Sequence, residues 1–291
     1  MTLRVSVVIP HYNDLGNLHR CIALLEAQSL PRGSFEILVV DNNSPAGVDA
    51  VAAAAGRNVR VLRETRKGAG LARNCGAAAA KGDVLAFVDS DCRPVTDWLE
   101  KGLAALATCD VVGGRVRVGR GMAGKLTPAE AFECVFAFDI ESYVTKKGFV
   151  PSGNMFVRRP TFEKVGGFRG GVSEDVEWGR RASSMGLNLA YGHDVVVEHP
   201  ARTTWAELKA KWRRMSLESY LLVCERPLGR LQWILRSWAV LLSPFIHVWK
   251  VLTSPELEAP ADRARAIGAL FAIRAWRFVE AHRVMWRARQ P

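Results

Sequence analysis

Two carboxylates separated by one residue, Asp89 and Asp91, stand at the end of an unbroken apolar run, Val-Leu-Ala-Phe-Val, at residues 84–88. Such a run reads as a buried strand that hands both side chains to the edge of a sheet. In open α/β sheets ligands collect beyond the carboxyl ends of the strands, where paired oxygens suit a hard divalent cation. Taken alone, Asp-x-Asp is more often a turn, because Asp is a common turn residue. Other polar clusters keep it company. Asp41-Asn42-Asn43-Ser44 follows a second apolar run, Glu174-Asp175 follows Ser173 at the start of a helical pattern, and His199 stands near the end of an apolar run at 195–197. Ser173 as an N-cap would place both acids where the helix dipole favours negative charge, a reading that needs no function. A lone His at a strand end is likewise most often an ordinary polar residue.

The elements that must position these groups follow a simple alternation. Residues 5–9 form a β-branched run stopped by Pro10, and His11-Tyr12-Asn13-Asp14 supplies a loop and an N-cap for a helix reaching about Ser29. Further strands are predicted at 36–40, 59–62 and 84–88, and Lys67-Gly68-Ala69-Gly70 leads into an Ala-rich helix at 71–80 carrying Arg73 and Asn74. Nearly all-apolar strands alternating with helices predict a mostly parallel sheet covered on both faces, in one nucleotide-binding-type α/β domain. Beyond residue 91 the pattern is looser. A helix is expected at 97–107, a strand pair around 111–118, a long helical stretch at 128–143, a Gly153-Asn154 turn before a short strand, and a strand ending at His199-Pro200. A dinucleotide enzyme is disfavoured because Gly68-Ala69-Gly70 lacks the third glycine and follows the third strand; there is no Gly-Lys-Ser/Thr of a phosphate loop.

The 291 residues, 49% of them hydrophobic, exclude a disordered chain and provide one large domain or a domain with an appendage. Net charge is +11, yet residues 201–291 hold sixteen Lys and Arg against seven Asp and Glu, so the first 200 residues are nearly balanced. Seven of the nine Trp also lie in that basic tail. Six cysteines without Cys-x-x-Cys or zinc-like spacing point to a reducing compartment. The first apolar run is too short for a secretory signal, so the α/β domain is expected to be cytoplasmic.

Pro10-x-Tyr12-Asn13, Asp41-Asn42-Asn43-Ser44, Gly70-x-x-Arg73-Asn74 and Asp89-Ser90-Asp91, in this order and spacing, resemble the family 2 glycosyltransferases of the GT-A fold. The resemblance covers roughly residues 4–220. It implies a nucleotide-sugar-binding half at 1–95 and an acceptor half at 96–222; the basic, Trp-rich composition of 223–291 predicts a helical, membrane-associating extension beyond it. The resemblance further implies a nucleoside diphosphate sugar as donor, usually a UDP-sugar. Pro10, Tyr12 and Asn13 would line the base pocket, Asp41 would read the uracil with Asn43 beside it, and Arg73 would lie near the base or phosphates. Asp89 and Ser90 would meet the ribose. Asp91 would hold Mn²⁺ or Mg²⁺, with His199 completing the metal site, a mixed ligand set that suits Mn²⁺ better than Ca²⁺. Gly153 and Asn154 would close over the donor sugar and acceptor. Asp175 would accept the acceptor's proton, with Glu174 orienting the acceptor or standing as the alternative base, and one base with direct displacement implies an inverting reaction.

Processive members carry Gln-x-x-Arg-Trp and several spanning helices. Residues 208–214, Leu-Lys-Ala-Lys-Trp-Arg-Arg, keep a basic residue beside Trp212 but lack the Gln, which favours single addition, with Trp212 retained among the donor-side candidates. Residues 230–252 are apolar and Trp-rich, but the longest uncharged run, 237–249, has thirteen residues and contains Pro244, whereas a spanning helix needs about twenty. An interfacial or re-entrant segment is expected instead, with Trp233, Trp238 and Trp249 at headgroup depth and Arg236 and Lys250 reaching phosphates. Arginines at 263, 265, 274, 277, 283, 287 and 289 add to the basic tail. The expected protein is peripheral on the inner face of the cell membrane and acts on a lipid, lipid-linked or other saccharide acceptor. A packed helical subdomain with a soluble acceptor is the plainer reading of the tail. The competing function is a degenerate GT-A module that binds acidic lipid or nucleic acid; no recognised nucleic-acid motif is present, and Asp41, Asp89, Asp91, Asp175 and His199 all remain.

Overall fold

The computed structural model describes residues 3–119 and 125–287, so Arg289 of the basic tail lies outside the described residues. The first half alternates as β1 (Val5–His11), α1 (Leu15–Glu26), β2 (Phe35–Asp41), α2 (Gly47–Ala55), β3 (Arg60–Arg63), α3 (Ala69–Ala79) and β4 (Val84–Val88). Asp14 caps α1 by accepting from the Asn17 N–H at 3.1 Å. There follow β5 (Arg93–Pro94), α4 (Trp98–Ala105), β6 (Val111–Gly119), α5 (Pro128–Phe136), α6 (Ile140–Lys147), β7 (Asn154–Arg158), α7 (Arg159–Val165), α8 (Glu174–Ser184) and β8 (Leu189–Pro200). Four helices follow among the described residues: α9 (Trp205–Cys224), α10 (Gly229–Leu242), α11 (Pro244–Leu252) and α12 (Pro260–Arg287).

Among the described residues the strands form one eight-stranded sheet in the order β3-β2-β1-β4-β7-β6-β8-β5. The β3-β2-β1-β4 half is parallel, as its βαβ crossovers require, and β1 is buried along its whole length. The other half departs from the mostly parallel expectation. β7 runs antiparallel to both β4 and β6, and β5 antiparallel to β8. The expected strand pair at 111–118 is a single strand. Its central Gly113-Gly114 makes no turn: a Cβ on Gly113 would meet the Val150 side chain at 2.9 Å, and one on Gly114 would strike Asn154 and the Val195 carbonyl. The helical stretch at 128–143 is two helices, α5 and α6.

The packing divides into two compact units. The sheet unit comprises residues 1–117, 139–170 and 174–199, and its core joins Val7, Ile9 and Val39 to Leu18, Leu25, Trp98 and Phe156. The helical unit takes residues 118–138, 171–173 and 200–291, and so begins well before the expected boundary at 223. The reason is its core, in which Phe132 of α5 and Leu208 of α9 cluster with Val251, Leu257, Leu270 and Ile273 from α11 to α12. Glu133 is buried in this unit and held by Arg202 at 3.1 Å and Lys211 at 2.8 Å. Among the described residues no helix is long and apolar enough to cross a membrane. Trp233 does not reach the surface as expected: it is buried, packs edge-on against Tyr220 and donates to the Ala281 carbonyl at 3.0 Å.

Candidate active site

Strand register gathers the chemistry at one edge. β1 and β2 pair in parallel with His11 opposite Asp41, and β4, parallel to β1, ends just before Asp89, so three carboxyl ends open on the same side. Asn154 pairs with Val88 across β4 and β7, which sets Gly153 against Asp89. A Cβ on Gly153 would stand 2.7 Å from Asp89 Oδ2, so glycine there is what lets the turn approach the carboxylate. Arg93 pairs with Glu198 across β5 and β8, which carries His199 to Asp91: His199 Nε2 lies 3.2 Å from Asp91 Oδ2.

Arg73 ties the two halves of this edge together. It is buried on α3, donates to Asp89 Oδ1 at 2.5 Å and reaches Glu174 Oε1 at 3.2 Å, a residue 101 positions away. Burial alone would lower its pKa; the charges of Asp89, Asp175 and Glu174 outweigh that and hold it above the ordinary arginine value. The neighbouring Asn74 clamps the loop before α8, donating to the Phe168 carbonyl at 2.7 Å and accepting from the Phe168 N–H at 2.7 Å. In the same seam a Cβ on Gly70 would press on Phe168 and Glu174. The Gly70-x-x-Arg73-Asn74 motif therefore builds a joint. Arg73 serves the two acids rather than standing open to a base or phosphate.

Asp175 sits at the head of α8 and accepts from the Ser152 N–H at 3.1 Å and the Ser152 hydroxyl at 2.5 Å, both on Oδ1. Burial and then the charge of Glu174 push its pKa up, Arg73 and the Ser152 hydrogen bond pull it back, and it settles at about 6. A carboxylate poised there is ionised at neutral pH and still basic enough to take a proton.

The remaining sequence candidates fall into distinct environments. Asp41 is buried with its carboxylate on the Ser44 N–H at 3.1 Å, Pro10 is buried, and Tyr12 stands 59% exposed at the opening. Asn13 and Asn43 both take positive φ, 51° and 65°, in loops joined by the Asn13 N–H to Ser44 Oγ hydrogen bond. Ser90 is half-buried between the two acids. Asn154 is buried and its amide is committed, accepting from Trp98 Nε1 and donating to the Arg115 and Val195 carbonyls, so it fixes β7 rather than facing a ligand. Trp212 belongs to the helical unit, where the Arg277 guanidinium lies 3.6 Å from its ring centroid.

Three residues escaped the sequence reading. Ser152 precedes the Gly-Asn turn without any spacing signal of its own. Asn42 donates to the Glu64 and Arg66 carbonyls and accepts from the Gly68 N–H, pinning the loop after β3; its only signal was membership of the Asp41 motif. His11 is buried with neither ring nitrogen hydrogen-bonded, and burial lowers its pKa against the opposing pull of Asp41 and Asp14.

Among the described residues no cluster of three or more His, Cys, Asp or Glu side chains forms a metal cage. Asp91 and His199 still fit one cation between them, since a carboxylate oxygen and an imidazole nitrogen converge there while Asp89 is engaged by Arg73. Comparison with known proteins then decides the family. The sequence profile of Glycosyl transferase family 2 matches residues 6–166, more than half of the chain. The chain belongs to glycosyltransferase family 2. This family 2 glycosyltransferase is 35% identical over 217 residues to the glycosyltransferase AglE of Haloferax volcanii, covering 72% of this chain and 71% of that one. It is 31% identical over 220 residues to the pre-mycofactocin glycosyltransferase of Mycobacterium tuberculosis, covering 71% of this chain and 45% of that relative's length. Its fold is that of a mannosyltransferase from Pyrobaculum calidifontis solved in complex with GDP-Man and Mn²⁺, with a TM-score of 0.64 at 17% identity over 99% of this chain and 88% of that one. The GT-A expectation and the enzyme class both stand.

Proposed function

We propose that this glycosyltransferase moves a sugar, with inversion, from a nucleoside diphosphate donor to a hydroxyl on a lipid or lipid-linked saccharide at the inner face of the cell membrane. The observation that carries the reading is the sheet edge at which the Asp91–His199 pair, the Arg73-bound Asp89 and the Ser152-bound Asp175 stand together. Asp41 and Tyr12 receive the base and Asp89 the ribose. The structural likeness to a mannosyltransferase complex with GDP-Man supports a nucleotide-sugar donor and leaves uridine and guanosine as the two bases to compare. Asp91 and His199 would hold Mn²⁺ or Mg²⁺ together with diphosphate oxygens. Such a cation stabilises the charge that builds on the leaving diphosphate.

Both Ser152 hydrogen bonds fall on Oδ1 of Asp175, which leaves Oδ2 to face the acceptor hydroxyl. As the acceptor oxygen bonds to the anomeric carbon, its proton passes to Asp175, the carbon–oxygen bond to the diphosphate breaks, and that electron pair leaves with the nucleoside diphosphate. Glu174 stays with Arg73 and repels the negative charge on Asp175, which keeps the base strong. The test is slow hydrolysis and transfer from a panel of UDP- and GDP-sugars with Mn²⁺, Mg²⁺ or chelator, with the product's anomeric configuration read by NMR. Turnover indifferent to chelator would remove the metal, and a retained configuration would remove direct displacement.

A further inference from the structure

Helices α10 and α11 are apolar on two faces, and the packing of the helical unit accounts for only one. Inward, Trp233 and Val251 are buried. Outward, Leu231, Leu235, Trp238 and Leu242 recur at the spacing of a single helix face and are 50% to 61% exposed. Phe245, Ile246 and Trp249 continue the face along α11 at 70% to 77% exposed. The outward face of a helix in a water-facing unit is ordinarily polar. A contiguous open apolar surface of this kind marks a docking site.

We infer that the outward face of α10 and α11 is seated on an anionic bilayer, with its Leu, Ile, Phe and Trp side chains at the acyl boundary. The inference rests on the membrane-surface reading above and narrows it from a basic tail to one face of two helices. Charge selects the bilayer over a second copy of the chain. Residues 226–252 carry Arg226, Arg230, Arg236 and Lys250 and no Asp or Glu, so a symmetric pair would set these cations against themselves, whereas anionic headgroups complement them. Arg236 and Lys250 act from the flanks of this face, their cationic groups 5.3 Å and 5.8 Å from the ring centroids of Trp233 and Phe136. Trp238 packs edge-on against Phe278, with centroids 4.7 Å apart, and leaves half of its surface open, the disposition of an interfacial indole. Among the described residues no helix is long and apolar enough to cross a membrane, and the inference places α10 and α11 in the interface plane.

The experiment uses the full chain with vesicles of phosphatidylcholine alone or mixed with phosphatidylglycerol, followed by sedimentation and Trp emission. Wild type is expected to sediment with the mixed vesicles and shift its emission to the blue. Leu235→Glu and Ile246→Glu, both outward and clear of the core, should each weaken binding about tenfold, because each removes an apolar side chain from the interface and adds a like charge to the lipid. Donor hydrolysis unchanged in both variants shows that they are folded. Binding of the two variants equal to wild type overturns this inference and leaves the membrane-surface reading standing on charge alone. A wild type that ignores mixed vesicles overturns both. A stable dimer in solution that the same substitutions split assigns the face to a second copy and overturns the inference.

Discussion

Asp175 sets the lower pH limit of the proposed reaction, because only its ionised form can accept a proton and its pKa stands at about 6. The transfer rate is expected to rise as pH climbs through about 6 and then to level off, measured as kcat at saturating donor. Asp175→Asn should lower kcat by roughly 10²- to 10⁴-fold with donor affinity retained. Stability moves the other way. A carboxyl whose pKa is raised on folding binds its proton more tightly in the native state, so the stability it contributes is full below its unfolded value near 3.8 and is lost as pH rises through about 6. The Asn variant should lack that decline between these limits in denaturant titrations. Arg73→Gln tests the joint. Removing the guanidinium withdraws the charge that lowers the Asp175 pKa, so the rising limb should move to higher pH. The stability lost should fall short of the roughly 3–5 kcal/mol for breaking a fully buried pair, since the Asp89 side chain is 38% exposed and solvent screens it. An unmoved limb would mean that Arg73 does not reach Asp175 electrostatically. Asp89, Asp91, Asp175 and His199 were legible because each closes or opens an element with a clear pattern. The work of Arg73 was not, because its second partner, Glu174, arrives at the head of a helix a hundred residues away.

At the scale of elements, the alternation of β1 to β4 was readable from apolar runs and intervening polar loops. The switch to antiparallel pairing was not. Nothing in the short run of β7 says that it lies against β4, and β5 has two residues and exists only through its pairing with β8. Yet these two pairings deliver Gly153 to Asp89 and His199 to Asp91. Gly153→Ala tests the first. With Asp89 Oδ2 only 2.7 Å from where the new Cβ would sit, either the carboxylate or the turn must shift. The expected result is donor affinity weakened by about tenfold or more, corresponding to about 1.4 kcal/mol, with the melting temperature changed little because the clash falls at the open edge. Unchanged affinity would show that the turn yields without moving Asp89.

For the whole molecule, composition located the charge and the Trp in the last third, but it misplaced the boundary. A basic, Trp-rich stretch looks like an appendage when it is read along the chain. In three dimensions α5, from the middle of the sequence, and α9 are core elements of the same helical unit. Removal of residues 227–291 would strip Val251, Leu257, Leu270 and Ile273 from the cluster that covers Phe132 and Leu208. At roughly 1.5–3 kcal/mol for each buried side chain, those four contribute on the order of 6–12 kcal/mol, comparable to the net stability of a typical domain. The shortened chain is therefore expected to aggregate or to bind a hydrophobic dye strongly, rather than to remain a soluble transferase. Size-exclusion chromatography and dye fluorescence on the two lengths check this. A monodisperse short chain that still hydrolyses donor would mean that α5 and α9 find other cover, and that the tail is an appendage after all.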